Sequence, residues 1–201
     1  MFAEAFSLWG SPFTWLEMAA FALSLAMVRC NMRLLHWGWP LGIAASVLYG
    51  VFFANGKLYG EAGLQVVFVL VSVWGWAQWL RGQASNGPAL PVRRLSPQQR
   101  WCAGLAGTGL VAVVGGFLLR FTDSELPWAD AVPTGLSVLG QVLLGRKFIE
   151  NWLIWLIVNL LSCALFTYKG WWLTVLLYAI FAGLSVLGWR AWAAKLENQA
   201  Q

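Results

Sequence analysis

The chain has 201 residues, of which 60% are hydrophobic and only 10% are charged. Soluble domains average about 25% charged residues, so this composition excludes an ordinary water-soluble domain and indicates a membrane protein. The net charge of +5 does not indicate a nucleic-acid-binding protein, because the basic residues are confined to short loops between apolar runs. The cysteines lack metal-site spacing, and we interpret all three as packing residues (Cys30, Cys102 and Cys163).

Seven apolar segments are each long enough for a membrane-spanning helix, which needs roughly 20 residues, or fewer inside a bundle. In chain order they are 13–28, 39–55, 60–80, 101–119, 130–145, 151–168 and 171–193. Three prolines fall at or near predicted helix starts, where a missing N–H costs little (Pro12, Pro40 and Pro133). The stretch 82–100 is the long polar loop. The N-terminus lacks the basic region of a secretory signal, so we expect the first apolar segment to be retained.

The distribution of lysine and arginine predicts the orientation, because short basic loops face the cytoplasm. With seven spans, ten of the 13 basic residues fall on one side, namely Arg29, Arg33, Arg81, Arg93, Arg94, Arg100, Arg146, Lys147, Arg190 and Lys195. The opposite side holds Lys57, Arg120 and Lys169. We therefore predict a multi-pass membrane protein with a periplasmic N-terminus and a cytoplasmic C-terminus.

The sequence resembles itself when it is shifted by 113 residues, a shift that aligns Trp39 with Trp152. The clearest match is the pattern Ser-Val-x-Gly-Trp-x-x-Trp, which occupies 72–79 and again 185–192. Chance identities are common among leucine and valine, but paired tryptophans with a glycine at a single offset are not. The chain therefore contains an internal repeat.

The repeat predicts two three-helix halves, 13–80 and 126–193, joined by the polar loop and a lone linker helix in 81–125. A single linker helix leaves both halves in the same orientation, so we predict a parallel 3+1+3 arrangement of seven transmembrane helices. Parallel repeats are a transporter architecture, in which the substrate lies near the midplane of the membrane.

Charged residues are absent from the centres of the predicted spans. The acidic residues closest to the spans lie near predicted helix starts, where free N–H groups and the helix dipole stabilise a carboxylate (Glu17, Glu61, Asp130 and Glu150). A proton or sodium coupling site usually includes an intramembrane charge, so this pattern favours facilitated diffusion. The single histidine, His36, lies in a basic loop without partner ligands, and we predict no enzyme activity, metal or cofactor.

The sixth span carries the most distinctive arrangement, Trp152-x-x-Trp155-x-x-x-Asn159. Offsets of three and seven residues place the three side chains on one helical face. Two indoles could hold a flat ring between them, while an amide offers two donors and an acceptor. Alternatively, Trp152 is an interfacial anchor and Asn159 bonds a neighbouring helix. The repeat mates of Trp155 and Asn159 are Gly42 and Ser46, and this asymmetry favours a ligand site.

Four further polar residues are candidates for contact with the same substrate: Gln65, Tyr178, Tyr49 and Gln141. Gln65 and Tyr178 occupy equivalent repeat positions, about one-third of the way into their spans. For Tyr49 and Gln141 a role in helix packing is an equally good interpretation.

The sixth and seventh spans resemble the PnuC family of vitamin transporters. The shared features are the Trp-Trp-Asn pattern of 152–159, then Tyr168-Lys169-Gly170, and then Gly188-Trp189-Arg190-x-Trp192. The Trp-Trp-Asn pattern resembles the nicotinamide riboside signature of that family, and the likeness extends over nearly the whole chain.

The resemblance implies a facilitator of the bacterial inner membrane, a fold related to the sugar-transporting SWEET proteins, and a homotrimer. It also implies nicotinamide riboside as the substrate, trapped after entry by a cytoplasmic kinase that phosphorylates it for NAD biosynthesis. Family members also carry thiamine or riboflavin, so these vitamins are the alternatives within transport. A non-transporting membrane scaffold is the alternative from a different class of protein.

Overall fold

The computed structural model describes residues 4–8, 11–55, 59–84, 90–122, 126–168, 170 and 172–199. Within these residues, seven helices follow a short antiparallel hairpin of β1 (Glu4–Leu8) and β2 (Ser11–Thr14). The helices are α1 (Trp15–Met32), α2 (Gly38–Asn55), α3 (Tyr59–Ala84), α4 (Pro97–Phe121), α5 (Pro127–Gly145), α6 (Asn151–Tyr168) and α7 (Trp172–Gln199). The predicted all-α polytopic fold is confirmed, and the hairpin is an addition to it.

Five of the helices are long and apolar enough to cross a membrane, as judged over the described residues: α2, α3, α4, α6 and α7. The other two, α1 with 18 residues and α5 with 19, are as long as α2 and α6 but less apolar. Helix α5 places Ser137 and Gln141 in buried positions, and much of its surface is covered by neighbouring helices. A helix that is covered in this way needs less apolar surface than one that faces lipid.

Side-chain caps fix the starts of two helices. Thr14 Oγ1 accepts a hydrogen bond from the backbone N–H of Glu17 (3.2 Å), and the Glu17 carboxylate accepts one from the backbone N–H of Thr14 (2.9 Å). The same reciprocal pair joins Ser96 and Gln99, with Pro97 as the first helical residue. Helix α4 therefore begins four residues before the predicted start at 101, and the end of the predicted polar loop is helical.

Pro133 lies inside α5 and not near its start, which corrects the prediction. The helix begins at Pro127, so Pro133 lies almost two turns further along. Proline is favourable at the first helical position because its missing N–H has no partner there, and Pro127 occupies that position. The hydroxyl of Ser137 donates a hydrogen bond to the carbonyl of Pro133 (2.7 Å), one turn earlier in the helix.

The chain divides into two compact units, Met1–Ser85 and Asn86–Gln201. In the first unit α1 packs on α2 and α2 packs on α3; in the second, α4 to α7 pack in chain order in the same way. The linker helix α4 packs on α5 and so belongs to the second unit. The three-part division at 13–80, 81–125 and 126–193 stays a prediction.

The same turn occurs in both units at the predicted offset. Leu34 and Lys147 each follow the end of a helix with a left-handed backbone, at φ 59° and 55° respectively. In each unit the next residue donates its N–H to the carbonyl five residues earlier: Leu35 to Cys30 (2.9 Å) and Phe148 to Leu143 (3.0 Å). This pattern of hydrogen bonds is a Schellman motif, which usually has glycine at the left-handed position.

A tryptophan-on-glycine contact also recurs at the offset of 113 residues. In the first unit the Trp39 ring lies directly on Gly75 and meets Trp79 edge to face, with ring centroids 5.6 Å apart. In the second unit Trp152 lies on Gly188 in the same way and meets Trp192 at 5.6 Å. The repeat found in the sequence is therefore a repeat of side-chain packing.

Candidate functional site

The candidate site is built around α6, which packs between α5 and α7 in the second unit. Asn159 is only 5% exposed, and its Nδ2 donates a hydrogen bond to Ser185 Oγ of α7 (3.2 Å). The Ser185 hydroxyl in turn donates to the Phe181 carbonyl (2.8 Å). These two bonds fix the orientation of the amide. The Oδ1 of Asn159 accepts no hydrogen bond from the described residues and is available to a ligand that donates one.

Trp155 is half-buried and lies against Gly140 of α5. A Cβ at Gly140 would lie 3.3 Å from both Cε2 and Nε1 of the indole. Real Cβ atoms seldom make contacts this close, so the absence of a side chain at Gly140 is what allows the ring to approach α5. Trp155 and Asn159 thus lie one turn apart on α6, with Trp155 contacting α5 and Asn159 contacting α7.

The structure places Trp152 in the packing between α6 and α7. The side chain is 4% exposed, one face of its ring is covered by Gly188, and the edge of Trp192 lies nearby. Its Nε1 is buried without a hydrogen-bond partner among the described residues. Trp39 has the same surroundings in the first unit. A contact between Trp152 and a substrate stays a prediction, and the packing role is what the structure shows.

Two other predicted site residues lie in the second unit. Tyr178 of α7 stacks on Phe166 of α6, with ring centroids 5.4 Å apart and an interplanar angle of 12°. Gln141 of α5 is 7% exposed and therefore buried among the helices of its unit. The second unit thus contains an aromatic stack between α6 and α7 in addition to the Asn159–Ser185 hydrogen bond.

The remaining predicted residues, Gln65 and Tyr49, belong to the first unit. Gln65 of α3 is half-buried, and its Cβ lies 3.4 Å from the position that a Cβ would take at Gly50 of α2. Tyr49 of α2 stacks on Phe53 one turn later, at 6.1 Å and 22°. Both residues therefore contribute to contacts inside the first three-helix unit.

Three residues that position the candidate side chains were not predicted as parts of a site: Ser185, Gly140 and Phe166. A signal was present for Ser185, since the repeat aligns it with Ser72 and both serines are buried. For Gly140 no pattern in the sequence connects it with Trp155, because the contact depends on how α5 packs on α6.

Buried charge is nearly absent from the described residues. Among the described residues, Lys147 is the only charged residue whose side chain is buried. It lies in the turn between α5 and α6. Burial lowers the pKa of its ammonium group below the ordinary value. No cluster of three His, Cys, Asp or Glu residues suited to a metal ion occurs in the described part of the chain.

Comparison with known proteins identifies close relatives over nearly the full length of the chain. The family model described as nicotinamide mononucleotide transporter matches residues 14–194. The riboflavin/roseoflavin transporter RibM of Streptomyces davaonensis is 31% identical, in an alignment that covers 94% of this chain and 90% of RibM. The nicotinamide riboside transporter PnuC of Escherichia coli is 26% identical, with coverages of 91% and 87%.

A solved structure has the same fold. The crystal structure of the vitamin B3 transporter PnuC superposes with a TM-score of 0.74 at 24% identity, over 92% of this chain and 83% of that one. This likeness supports the polytopic helical architecture described above.

Proposed function

The chain belongs to the nicotinamide mononucleotide transporter family, and we propose that it carries nicotinamide riboside across the bacterial inner membrane by facilitated diffusion. Its family and its structural neighbour are transporters and not enzymes. Beyond membership of the family, we propose the identity of the substrate, an uncoupled mechanism and the residues that bind the substrate.

The observation that carries the proposal is the asymmetry of an otherwise repeated helix. At the positions where α6 has Trp155 and Asn159, the equivalent helix α2 has Gly42 and Ser46. Trp155 and Asn159 are not part of the packing contact that the two units share, which uses Trp152 and its repeat mate. The large aromatic ring and the oriented amide are therefore suited to a ligand.

The chemistry of nicotinamide riboside matches these two groups. Its pyridinium ring is flat and cationic, and a cation on an indole face gains up to about 2 kcal/mol when water is excluded. Its carboxamide N–H groups are donors for the Oδ1 of Asn159, which Ser185 leaves unoccupied. We propose Trp155 for the stacking and Asn159 for the hydrogen bond, with Tyr178, Gln141, Gln65 and Tyr49 as further contacts.

The uncoupled mechanism follows from the distribution of charge. Among the described residues, buried charge is confined to a turn, and the carboxylates of α1 and α5 lie in their first turns, so no fully buried carboxylate is offered to a proton or a sodium ion. Entry of a cationic nucleoside is favoured by a membrane potential that is negative inside. Phosphorylation by a cytoplasmic kinase would then prevent exit. A cytoplasmic C-terminus and a homotrimeric assembly belong to the same proposal.

Riboflavin is the second candidate substrate. It is favoured by the relative RibM, which is named for riboflavin and roseoflavin and shares 31% of aligned residues with this chain. Its isoalloxazine ring is also flat and would stack on Trp155, but it is neutral at physiological pH and would gain no cation–π term. The same site therefore admits two vitamins that differ in charge.

Isothermal titration calorimetry of the purified protein distinguishes the candidates, with nicotinamide riboside, riboflavin, thiamine and nicotinamide mononucleotide as ligands. We expect saturable binding of nicotinamide riboside, lost in Trp155→Ala and Asn159→Ala and retained in Trp101→Ala. Trp101 is a matched control because its side chain is 78% exposed on α4. Binding of riboflavin alone would replace the substrate and keep the site. Binding of none of the four would contradict transport of these vitamins.

A further inference from the structure

The second unit contains a groove whose lining does not include Trp155 or Asn159. It is a groove of about 560 Å³ between α4, α5 and α6, with Trp189 of α7 at its edge. This volume falls in the range of about 300–1,000 Å³ that is typical of ligand sites. None of the substrate-site residues proposed above lines the groove.

The body of the groove is apolar. Its walls are formed by aliphatic side chains of α5 and α6, among them Leu139, Leu143 and Ile154, and by small residues of α4, among them Gly104 and Gly107. Helix α4 spans the membrane by length and composition, and its outward side chains are strongly exposed, as Leu105 (73%) and Val113 (72%) show. The apolar walls of the groove suit a hydrocarbon chain.

One end of the groove is basic. Arg94 and Arg100 line it there, together with the single carboxylate of Glu150. Glu150 Oε1 accepts the N–H of Leu95 (3.0 Å) and lies 3.7 Å from Arg100 Nη2, but Arg100 remains 60% exposed. Arg94 is exposed and has no hydrogen-bond or ion-pair partner among the described residues.

The basic end is held in a fixed position relative to the groove. Arg93 and Phe148 form a parallel bridge, in which the Arg93 N–H donates to the Lys147 carbonyl (3.1 Å) and the Ile149 N–H donates to the Arg93 carbonyl (3.0 Å). The Arg93 guanidinium also lies over the Phe148 ring, 4.4 Å from its centroid. These contacts tie the segment before α4 to the turn between α5 and α6, so that Arg94 stays beside the mouth of the groove.

We propose that this groove binds an anionic phospholipid, with one acyl chain between α4 and α5 and the phosphate held by Arg94 and Arg100. An apolar channel that ends in two guanidinium groups and one carboxylate keeps a net positive charge at that end and so matches the two halves of such a lipid. Basic pockets between transmembrane helices bind anionic head groups. Arginine suits the phosphate, because its planar fork donates two parallel hydrogen bonds. A zwitterionic lipid fits less well, since its ammonium group would meet the same positive charge.

Native mass spectrometry of the detergent-purified protein with equimolar phosphatidylglycerol and phosphatidylcholine tests the proposal. We expect preferential retention of phosphatidylglycerol, weakened about fivefold by Arg94→Gln and again by Arg100→Gln. Arg29→Gln is the matched control, because it removes an exposed positive charge from α1, outside the groove. Equal retention of the two lipids, or equal losses in Arg94→Gln and Arg29→Gln, would overturn the proposal.

A second pair of variants tests the apolar part of the groove. A Cβ at Gly104 would meet no other atom within 4 Å, so Gly104→Phe begins in open space and places its ring at the groove. Gly116→Phe is the control on the same helix, also without a neighbour within 4 Å and outside the groove. We expect loss of phosphatidylglycerol from the first variant and retention in the second. Unchanged lipid retention in Gly104→Phe together with a change of oligomeric state would show that a second copy of the chain occupies the groove, and would overturn the proposal.

Discussion

The hydrogen bond between Asn159 and Ser185 determines which atoms of the amide are available to a substrate. With Nδ2 donating to the serine at 3.2 Å, the carbonyl Oδ1 is left as the acceptor. We expect Ser185→Ala to weaken substrate binding about fivefold, because loss of one hydrogen bond is worth roughly 1 kcal/mol and the amide becomes free to rotate. Isothermal titration calorimetry measures the change.

Ser72→Ala is the control for this substitution. Ser72 is the repeat mate of Ser185, is equally buried at 2% exposure, and lies in the first unit, where Asn159 has no asparagine counterpart. We expect its binding constant to match that of the unsubstituted protein. If both alanine variants lost affinity equally, the effect would belong to helix packing and not to orientation of Asn159.

Lys147 provides a dependence of stability on pH. Burial lowers the pKa of its ammonium group in the folded state below 10.5, while the unfolded chain keeps the ordinary value. Between the lowered pKa and 10.5 the unfolded state binds more protons, so the contribution of Lys147 to stability rises with pH across that window. We expect Lys147→Met to remove this rise with pH. Melting temperatures of both proteins from neutral pH to pH 10.5 test this, and parallel curves would contradict it.

At the scale of the helix, the tryptophan-on-glycine contacts hold α3 against α2 in the first unit and α7 against α6 in the second. A Cβ at Gly75 or Gly188 would overlap the ring of Trp39 or Trp152. We expect each glycine-to-alanine variant to unfold about 1–3 kcal/mol more easily, since overpacking forces the ring or the helix to move. Thermal unfolding in detergent measures the effect in both units.

Gly63→Ala and Gly183→Ala are the matched controls, because a Cβ at either position meets nothing within 4 Å. These two glycines lie in the same two helices, α3 and α7. We expect the control variants to be as stable as the unsubstituted protein or up to about 1 kcal/mol more stable, because alanine favours the helix. Destabilisation of all four variants alike would mean that the tryptophan contacts are not the cause.

The sequence predicted those parts of the fold that depend on local pattern. Long apolar runs identified the helices, and the matching Ser-Val-x-Gly-Trp-x-x-Trp segments identified packing that the structure then shows at Gly75 and Gly188. Predicted helix limits were less accurate where a cap decides them, as at Ser96 before α4. The position of Pro133 was wrong for a related reason, since Pro127 begins α5.

The candidate site could be predicted only in part, because its residues are contributed by different helices. The spacing on α6 correctly grouped Trp152, Trp155 and Asn159 on one helix, but spacing alone cannot show which neighbour each side chain meets. Trp152 meets α7 in a contact that both units share, whereas Trp155 meets α5 through Gly140. The packing of the helices is needed to distinguish Trp152, whose contact occurs in both units, from Trp155, whose contact does not.

At the scale of the whole molecule, the two units repeat their backbone turn and helix packing but not the candidate site residues Trp155 and Asn159. The two units share the Schellman turn, after α1 and after α5, and the tryptophan-on-glycine contact, yet Trp155 and Asn159 have no counterpart of the same type in the first unit. In transporters built from repeats, transport results from the movement of one repeat or bundle against the other around the substrate.

If transport is uncoupled, the membrane potential alone determines how far a charged substrate accumulates. For a monovalent cation, a potential of 100 mV is worth about 2.3 kcal/mol, which corresponds to roughly 50-fold accumulation at equilibrium. We expect proteoliposomes with an inside-negative potential, set by potassium and valinomycin, to accumulate nicotinamide riboside to about this level. Riboflavin, which is neutral, should only equilibrate. Proton or sodium gradients at zero potential should leave both vitamins at equal concentrations inside and outside, and uphill uptake under either gradient would show that transport is coupled to that ion.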